Sequence, residues 1–489
     1  MVIVISNFID GRFVPCDNHI ESYNPATGQI FAKVPDSDET DVAAAVKAAR
    51  NAFQKWSAKG FEERSKLLHK VADILESRAK EFAIAESQDQ GKALWLSETV
   101  EIPRAVLNFR HFANTILCDK DTCINQPQDG VLNYTVRAPC GVAAIIVPWN
   151  LPLYLLTFKL APALAYGNTV VAKPSEFTSV TAWMLCSVIK EAGIPDGVVN
   201  MVFGYGHKAG EALVTHPLVP IISFTGSDRA GLHIASIAGK FAKKISLEMG
   251  GKNAAIVFSD ADLDKCIPTL IRGSFLNQGQ VCLSTSRIYV EKSIFDTFVE
   301  KFLAEVKKIK VGEPLSEGVW MGPVCSKIHF EKIKMYLKIA EEEGAHFLTD
   351  GQHLQLPDKN KQGYFIGPTV LSGLPDTCRC MQEEIFGPVT CLSTFQDEKE
   401  VIDRANNVNY GLSASLWSRD IERIHSIAPK LEVGTVWCNC WLVRNLHMPF
   451  GGTKMSGVGR EGTEDSREFY TNKKTICVKY KTTTSNPFL

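Results

Sequence analysis

The sequence predicts an α/β protein with two large lobes, and three observations carry that expectation. Its 489 residues, 45% hydrophobic and 22% charged, are ordinary globular material in an amount too large for one core. A helical period governs residues 38 to 92, and from Gly141 onward short branched apolar runs alternate with longer amphipathic stretches. The same alternation resumes after about residue 260 and supplies the second lobe.

Taken in order, Val42, Ala45, Val46, Ala49 and Phe53 fall at i+3 and i+4 steps, and Leu67, Leu68, Val71 and Leu75 repeat the scheme. The runs 142–147, 169–172, 198–203, 221–224 and 254–258 are rich in branched residues. They alternate with amphipathic stretches at 178–192 and 228–240, the pattern of βαβ units around a parallel sheet covered on both faces. No charged side chain lies between Arg137 and Lys159, a span long enough for a membrane helix. Pro148, Asn150 and Pro152 sit in its middle and would break such a helix, so this stretch reads as buried strand, loop and helix. Further helices are expected at 294–309 and 327–343. GYGHKAG (204–210), 358–363 and the glycine-rich 451–462 read as loops, the last two on the surface.

Composition excludes several functions. Lys+Arg 53 against Asp+Glu 54 gives a net charge of −1, and no basic block interrupts the mixture, so nucleic acid is a poor partner. The N-terminal MVIVISNFIDGRF lacks a basic region before its short apolar run, and no secretory or mitochondrial signal is expected. Fourteen irregularly spaced cysteines read as reduced thiols of a cytoplasmic protein. Pairs such as Cys378/Cys380 and Cys438/Cys440 lack the spacing and companion histidines of a zinc site, so no metal is indicated.

Several stretches have the make-up of reactive groups. In NQGQVCLSTS (277–286), Cys282 sits in a polar, turn-prone setting that gives a nucleophile access, although most cysteines are small core residues. In SLEMGGKNAAIVF (246–258), Glu248 precedes two glycines and a buried strand, where a carboxylate raised in pKa serves as general base; the plain alternative is a solvated strand-end acid. Asn150, beside Trp149 and between two prolines, is either a rigid oxyanion donor or a turn residue. FTGSDRAG (224–231) opens a helix with Gly226 and Ser227 at its N-terminus, a setting that suits a pyrophosphate. In VVAKPSE (170–176), Lys173 and Glu176 follow a strand at the carboxyl edge where open α/β sheets bind ligands. A glutamate on the ribose hydroxyls favours NAD over its 2′-phosphorylated form.

Together PWNLP, KPSE, FTGS, LEMGGKN, NQGQVC, EEIFGPV and PFGGTKMSGVGRE resemble the aldehyde dehydrogenase superfamily, in the family's order and across nearly the whole chain. The resemblance implies that Cys282 attacks the aldehyde, that Asn150 and the Cys282 N–H hold the oxyanion, and that Glu248 activates water to release the acid. It implies NAD held by Trp149, Lys173, Glu176, Gly226, Ser227, Glu384 and Phe386. The implied fold has two Rossmann-like lobes: a cofactor domain over 1–116 and 140–250, and a catalytic domain over 251–466. A small β oligomerisation arm and C-terminal segment at 117–139 and 467–489 join subunits into a homodimer or homotetramer. No membrane partner is implied.

EIPRAVLNFRHFA (101–113), YTVRAPCGV (134–142) and WLVRNL (441–446) resemble the subgroup that oxidises 2-aminomuconic and 2-hydroxymuconic semialdehydes, where arginines matching Arg104 and Arg444 bind the substrate carboxylate. The implied reaction is 2-aminomuconic semialdehyde to 2-aminomuconate, in tryptophan and kynurenine catabolism. A guanidinium fork among apolar groups suits a planar anion. Competing readings are an ion pair of Arg104 with Glu101 and an internal salt bridge for Arg444. Asn445 stands where relatives tend to place an acid, which leaves Arg444 either more available to substrate or differently oriented, and His447 reads as a structural hydrogen-bonder or, below neutral pH, a further positive charge. An oxidase of apolar aldehydes such as retinal, using Trp437, Trp441 and Leu442, and a non-catalytic, crystallin-like descendant are the alternatives.

Overall fold

The computed structural model describes residues 2–481. Five parallel strands form the middle of the first large sheet: Val142–Ile146, Thr169–Lys173, Val199–Met201, Ile221–Thr225 and Lys244–Glu248. The first four are buried along their whole length, as branched side chains packed from both faces require. Each such Val or Ile removed from water stabilises the fold by about 1.5–3 kcal/mol. Asn7–Ile9 and Arg12–Val14 extend one edge, and Gly457–Val458 closes the other by pairing antiparallel with Lys244–Glu248.

Helices cover both faces. Glu39–Ser57 begins at Asp38, whose carboxylate accepts from the amides of Thr40 and Asp41 while Asp41 answers the Asp38 amide. It packs with Asp228–Lys240 against Val142, Ala144, Val171 and Ile222. Phe61–Ser77, Ile102–Thr115, Pro152–Ala165 and Val180–Glu191 fill the other face around Phe82, Phe109 and Phe112. The stretch 137–159 is strand, loop and helix, as expected. Among the described residues no helix is long and apolar enough to cross a membrane.

The second sheet has seven strands in the order His346–Thr349, Thr369–Ser372, Val389–Phe395, Thr285–Glu291, Asn253–Val257, Ser413–Trp417 and Thr435–Cys438, parallel except at the first. Leu263–Phe275 and Phe295–Val306 cover one face, and Lys327–Glu342 the other. A separate antiparallel sheet joins Cys123–Gln126, Val131–Pro139 and Thr471–Lys479.

Two loop expectations need correction. Residues 204–210 form a π-helical turn, Gly206–Gly210, running into the helix Glu211–Thr215. The stretch 358–363 is a largely exposed loop, as expected, with a 3-10 turn, Asp358–Asn360, pinned by the buried Asn360 amide, which donates to Ala26 O at 2.8 Å. The glycines of 451–462 are not a surface loop: Gly451, Gly452 and Ser456 are buried, and Gly457 lies so close to Leu247 that a Cβ would sit 2.2 Å from its carbonyl oxygen. Only glycine permits that approach, which brings this segment onto the strand that ends in Glu248.

Candidate active site

The approach to Cys282 is an unusual backbone. Asn277, Gln278 and Gly279 have φ of 52°, 59° and 66°, three consecutive left-handed residues of which two are not glycine. Side-chain amides hold them there. Asn277 Nδ2 donates to Asn150 O at 2.9 Å, Gln278 Nε2 to Pro323 O at 2.6 Å, and Gln280 Oε1 accepts from the Cys325 amide at 3.0 Å. Asn253 Nδ2 then donates to the carbonyls of Cys282 and Ser284 at 2.7 and 2.9 Å, and Trp441 Nε1 to Leu283 O at 3.1 Å. The amides of NQGQ are thus scaffolding that leaves the half-buried Cys282 side chain clear. Burial, with Glu248 and Glu384 adding to it, pushes its thiol above the ordinary range, and Arg444 acts the other way.

Asn150 is buried, its Nδ2 donating to Gln280 O at 2.9 Å and its Oδ1 unpartnered. One amide hydrogen is therefore committed and the other is free toward the cleft that Asn150 shares with Cys282. Glu248 closes its strand, and its Oε1 is buried without a partner. Burial and the neighbouring Glu461 raise its pKa, opposed by Lys159 and Arg444. Lys159 and Glu461 are themselves buried and paired at 2.5 Å, so the carboxylate of Glu248 stands beside a charged pair and not in solvent.

The cleft holding Cys282 and Asn150 encloses about 230 Å³ and is also lined by Trp149, Thr225, Gly226, Ser227, Glu384 and Phe386. Ser227 caps the Asp228–Lys240 helix through the Ala230 amide, and Thr225 Oγ1 is buried with no partner. Glu384 accepts from the Gly251 amide at 2.8 Å, and burial raises its pKa to about 7. Gly250 makes room for it, since a Cβ there would lie 2.4 Å from Glu384 Oε2. Phe386 adopts φ of 62° and stands edge-on to Trp149 at 5.4 Å. A second cavity, of about 710 Å³, is lined by Lys173, Glu176, Gly210, Phe224 and Ala230. Lys173 Nζ donates to the carbonyls of Pro174 and Gly204, both at 2.9 Å, and lies 3.8 Å from Glu176.

The two arginines converge on Tyr154. Arg104, on Ile102–Thr115, lies 5.2 Å from the Tyr154 ring centre. Arg444 stacks on Phe450 at 3.7 Å and Phe158 at 4.9 Å, and its Nη1 donates to the Tyr154 hydroxyl at 3.1 Å. Neither of the competing ion pairs forms. Glu101 pairs with the buried Lys92 at 3.0 Å, and among the described residues no carboxylate reaches Arg444. Arg104 Nε and Nη2 and Arg444 Nη2 are buried donors without acceptors. Burial lowers the pKa of Arg104, with repulsion by Arg444 in the same direction. Asn445 and His447 face elsewhere. Asn445 Oδ1 accepts from the His447 amide at 2.9 Å, and the exposed His447 packs edge-on against His111.

Residues 13–476 match the family model described as aldehyde dehydrogenase family. The chain belongs to the aldehyde dehydrogenase family. It is an oxidoreductase acting on aldehydes. It is 54% identical over 481 residues to 2-aminomuconic semialdehyde dehydrogenase of Homo sapiens, covering 98% of this chain and 99% of that one. It is 44% identical to 2-hydroxymuconic semialdehyde dehydrogenase of Pseudomonas sp. strain CF600, covering 97% and 99%. Among solved structures, an NAD+ complex of an aldehyde dehydrogenase from Bacillus cereus is similar, with a TM-score of 0.94 and 38% identity over 98% of this chain and 97% of that one.

Four groups of this aldehyde dehydrogenase site escaped the sequence reading. His329, whose Nε2 meets Phe386 O at 2.7 Å, completes an aromatic wall with Trp149, and burial lowers its pKa to about 4, which keeps it neutral. It sits in an ordinary amphipathic helix with no local signal. Lys159 had one: a lone charge in an apolar helix must find a partner. That partner, Glu461, lies inside the PFGGTKMSGVGRE motif, 302 residues away. Tyr154 lies four residues beyond Asn150, in a stretch read only for Trp149 and Asn150.

Proposed function

We propose that this enzyme oxidises a semialdehyde bearing a carboxylate, 2-aminomuconic semialdehyde to 2-aminomuconate in tryptophan and kynurenine catabolism, with NAD as acceptor. The observation that carries the reading is the pair of guanidiniums around Tyr154, of which Arg104 Nε and Nη2 and Arg444 Nη2 are buried without an acceptor. An unpaired buried cation is costly, and a carboxylate from outside the chain relieves two of them at once. The names of the relatives agree with this. Trp437 and Trp441, which an apolar substrate would need, are buried and donate to Val443 O and Leu283 O as part of the core.

In the proposed reaction the Cys282 thiolate, its proton released to solvent, adds to the aldehyde carbon, and the free Asn150 amide hydrogen with the Cys282 N–H stabilises the alkoxide of the thiohemiacetal. A bound nicotinamide dinucleotide supplies the hydride acceptor. Glu248 takes a proton from water as that water attacks the Cys282 thioester, releasing the acid and restoring the thiol. The unpartnered Thr225 hydroxyl and the cleft along Gly226, Ser227, Glu384 and Phe386 fit the nicotinamide half of the dinucleotide. The cavity at Lys173 and Glu176 fits the adenosine ribose. The proposed domain limits are 1–116 with 140–250 for the cofactor, 251–466 for catalysis, and 117–139 with 467–489 for a homodimeric or homotetrameric contact; residues 482–489 lie outside the described residues. A cytoplasmic location completes the proposal.

NADH formation on 2-hydroxymuconic semialdehyde, retinal and a short neutral aldehyde tests the substrate class, with Arg444→Ala beside the native enzyme. A charged hydrogen bond is worth about 1.5–3 kcal/mol, so kcat/KM for the semialdehyde should fall roughly 10- to 150-fold relative to the neutral aldehyde. A preference for retinal that the substitution leaves alone would transfer the assignment to apolar aldehydes. For the cofactor, Glu176→Gln removes the like charge that a 2′-phosphate meets. The ratio of NADP to NAD utilisation should rise about tenfold or more, since one such charged contact is worth at least about 1.4 kcal/mol. An unchanged ratio would remove Glu176 from the ribose site.

A further inference from the structure

The Tyr154 hydroxyl has one hydrogen and two lone pairs, and the contact that fixes it, from Arg444 Nη1 at 3.1 Å, uses a lone pair. Its hydrogen therefore remains to be donated. Everything charged around it, Arg104 over the ring and Arg444 at the oxygen, is donor only. Beyond the Tyr154 oxygen, which takes Arg444 Nη1, the cluster offers no acceptor to Arg104 Nε and Nη2, to Arg444 Nη2 or to the Tyr154 hydroxyl hydrogen, although buried donors are as a rule satisfied.

The position of Tyr154 is not left to that hydroxyl. Its amide donates to Glu101 Oε1 at 3.0 Å, and Glu86 Oε1 accepts from the Leu153 amide at 3.4 Å, so two buried carboxylates cap the start of Pro152–Ala165. Glu101 immediately precedes the helix that carries Arg104, and the buried Lys92 lies between the two carboxylates, 3.0 Å from Glu101 and 3.5 Å from Glu86. One carboxylate therefore ties the helix of Arg104 to the helix of Tyr154. Phe158, one turn further on, stands 6.2 Å from the Tyr154 ring and carries Arg444 on its face. Two arginines that repel each other are held on opposite parts of one phenol by elements anchored away from solvent.

We propose that Tyr154 is a specificity-determining residue of the substrate site, its hydroxyl donating to the same carboxylate that Arg104 and Arg444 bind. The inference rests on the carboxylate reading above and extends it by one residue. The phenol separates the guanidiniums, presents the edge of Arg444, and adds a neutral donor whose contribution does not raise the local charge. An aldehyde without a carboxylate has nothing to accept that hydrogen.

The test is Tyr154→Phe, which keeps the ring under Arg104 and removes only the hydroxyl. The ratio of kcat/KM for 2-hydroxymuconic semialdehyde to that for a short neutral aldehyde should fall about tenfold, through KM for the semialdehyde, as the loss of one hydrogen bond to a charged group requires. Inhibition by cis,cis-muconate, a dicarboxylate probe, should weaken by a similar factor. Equal losses on both aldehydes, or a fall in kcat alone, would make Tyr154 a packing residue and overturn the proposal. If Arg444→Ala discriminates between the aldehydes and Tyr154→Phe does not, only the role of Tyr154 fails. If neither discriminates, the carboxylate reading fails and takes this one with it.

Discussion

Cys282→Ala should abolish NADH formation from every aldehyde, by roughly 10⁴-fold or more, while the dinucleotide still binds. Removing a nucleophile leaves only the residual acceleration of binding and of the oxyanion donors, which explains the size of the loss. The substitution should leave the site intact because nothing in the scaffold depends on the sulfur. The segment is held through the backbone carbonyls of Cys282, Leu283 and Ser284 and through the amides of Asn277, Gln278 and Gln280. Calorimetric titration with NAD should return a Kd within a few-fold of native, and thermal unfolding should be little changed. Normal turnover by the alanine enzyme would remove Cys282 from the mechanism. Loss of NAD binding together with turnover would show that the thiol supports the fold.

Glu248→Gln should separate the two halves of the reaction. Hydride transfer requires the thiol, whereas release of the acid requires a base for water, so the variant should form about one NADH per subunit and then stall. Rapid mixing measures the burst, and mass spectrometry should find the acyl group on the protein. In the native enzyme, burial and Glu461 hold the carboxyl above the usual carboxylate range, so the base is lost as pH falls through that raised pKa. Steady-state turnover should therefore decline on the acid side well above pH 4.5, and this limb should vanish from the residual rate of the glutamine enzyme. The same shift has a stability consequence of opposite sense. The folded state holds this proton more tightly than the unfolded chain, so the group's stabilisation is complete below the unfolded pKa and fades as pH rises through the folded one. Glutamine, neutral throughout, should cost no stability at alkaline pH. A burst amplitude equal to continuous turnover would assign the water-activating role elsewhere.

Much of this was legible in the chain itself because the signals are local. Strand runs such as 221–224 and helices such as 228–240 announce their period within a dozen residues, and the structure places Ile221–Thr225 and Asp228–Lys240 there. Cys282, Glu248 and Asn150 were visible because each interrupts a pattern with a polar or reactive group. What stayed hidden is non-local. No window of sequence shows that Lys159 meets Glu461, that His329 backs Phe386, or that Glu101 binds Lys92 and not Arg104. The glycines of 451–462 carry the ordinary signature of a surface loop. Their burial follows from the close packing of the segment against Leu247, which only the assembled sheet reveals.

That last strand also sets an order of events in time. Gly457–Val458 pairs with Lys244–Glu248, some two hundred residues earlier, and the buried pair of Glu461 with Lys159 spans a still longer loop. Contacts of such separation form late, because loop closure has to be met before they contribute. During synthesis the strand carrying Glu248 emerges with one edge open and stays so until Val458 has left the ribosome. Nascent chains that already carry Cys282 but lack residues 457 and 458 present an unfinished sheet margin, a surface for chaperones to cover, and a proposed nucleophile whose proposed base, Glu248, is not yet enclosed.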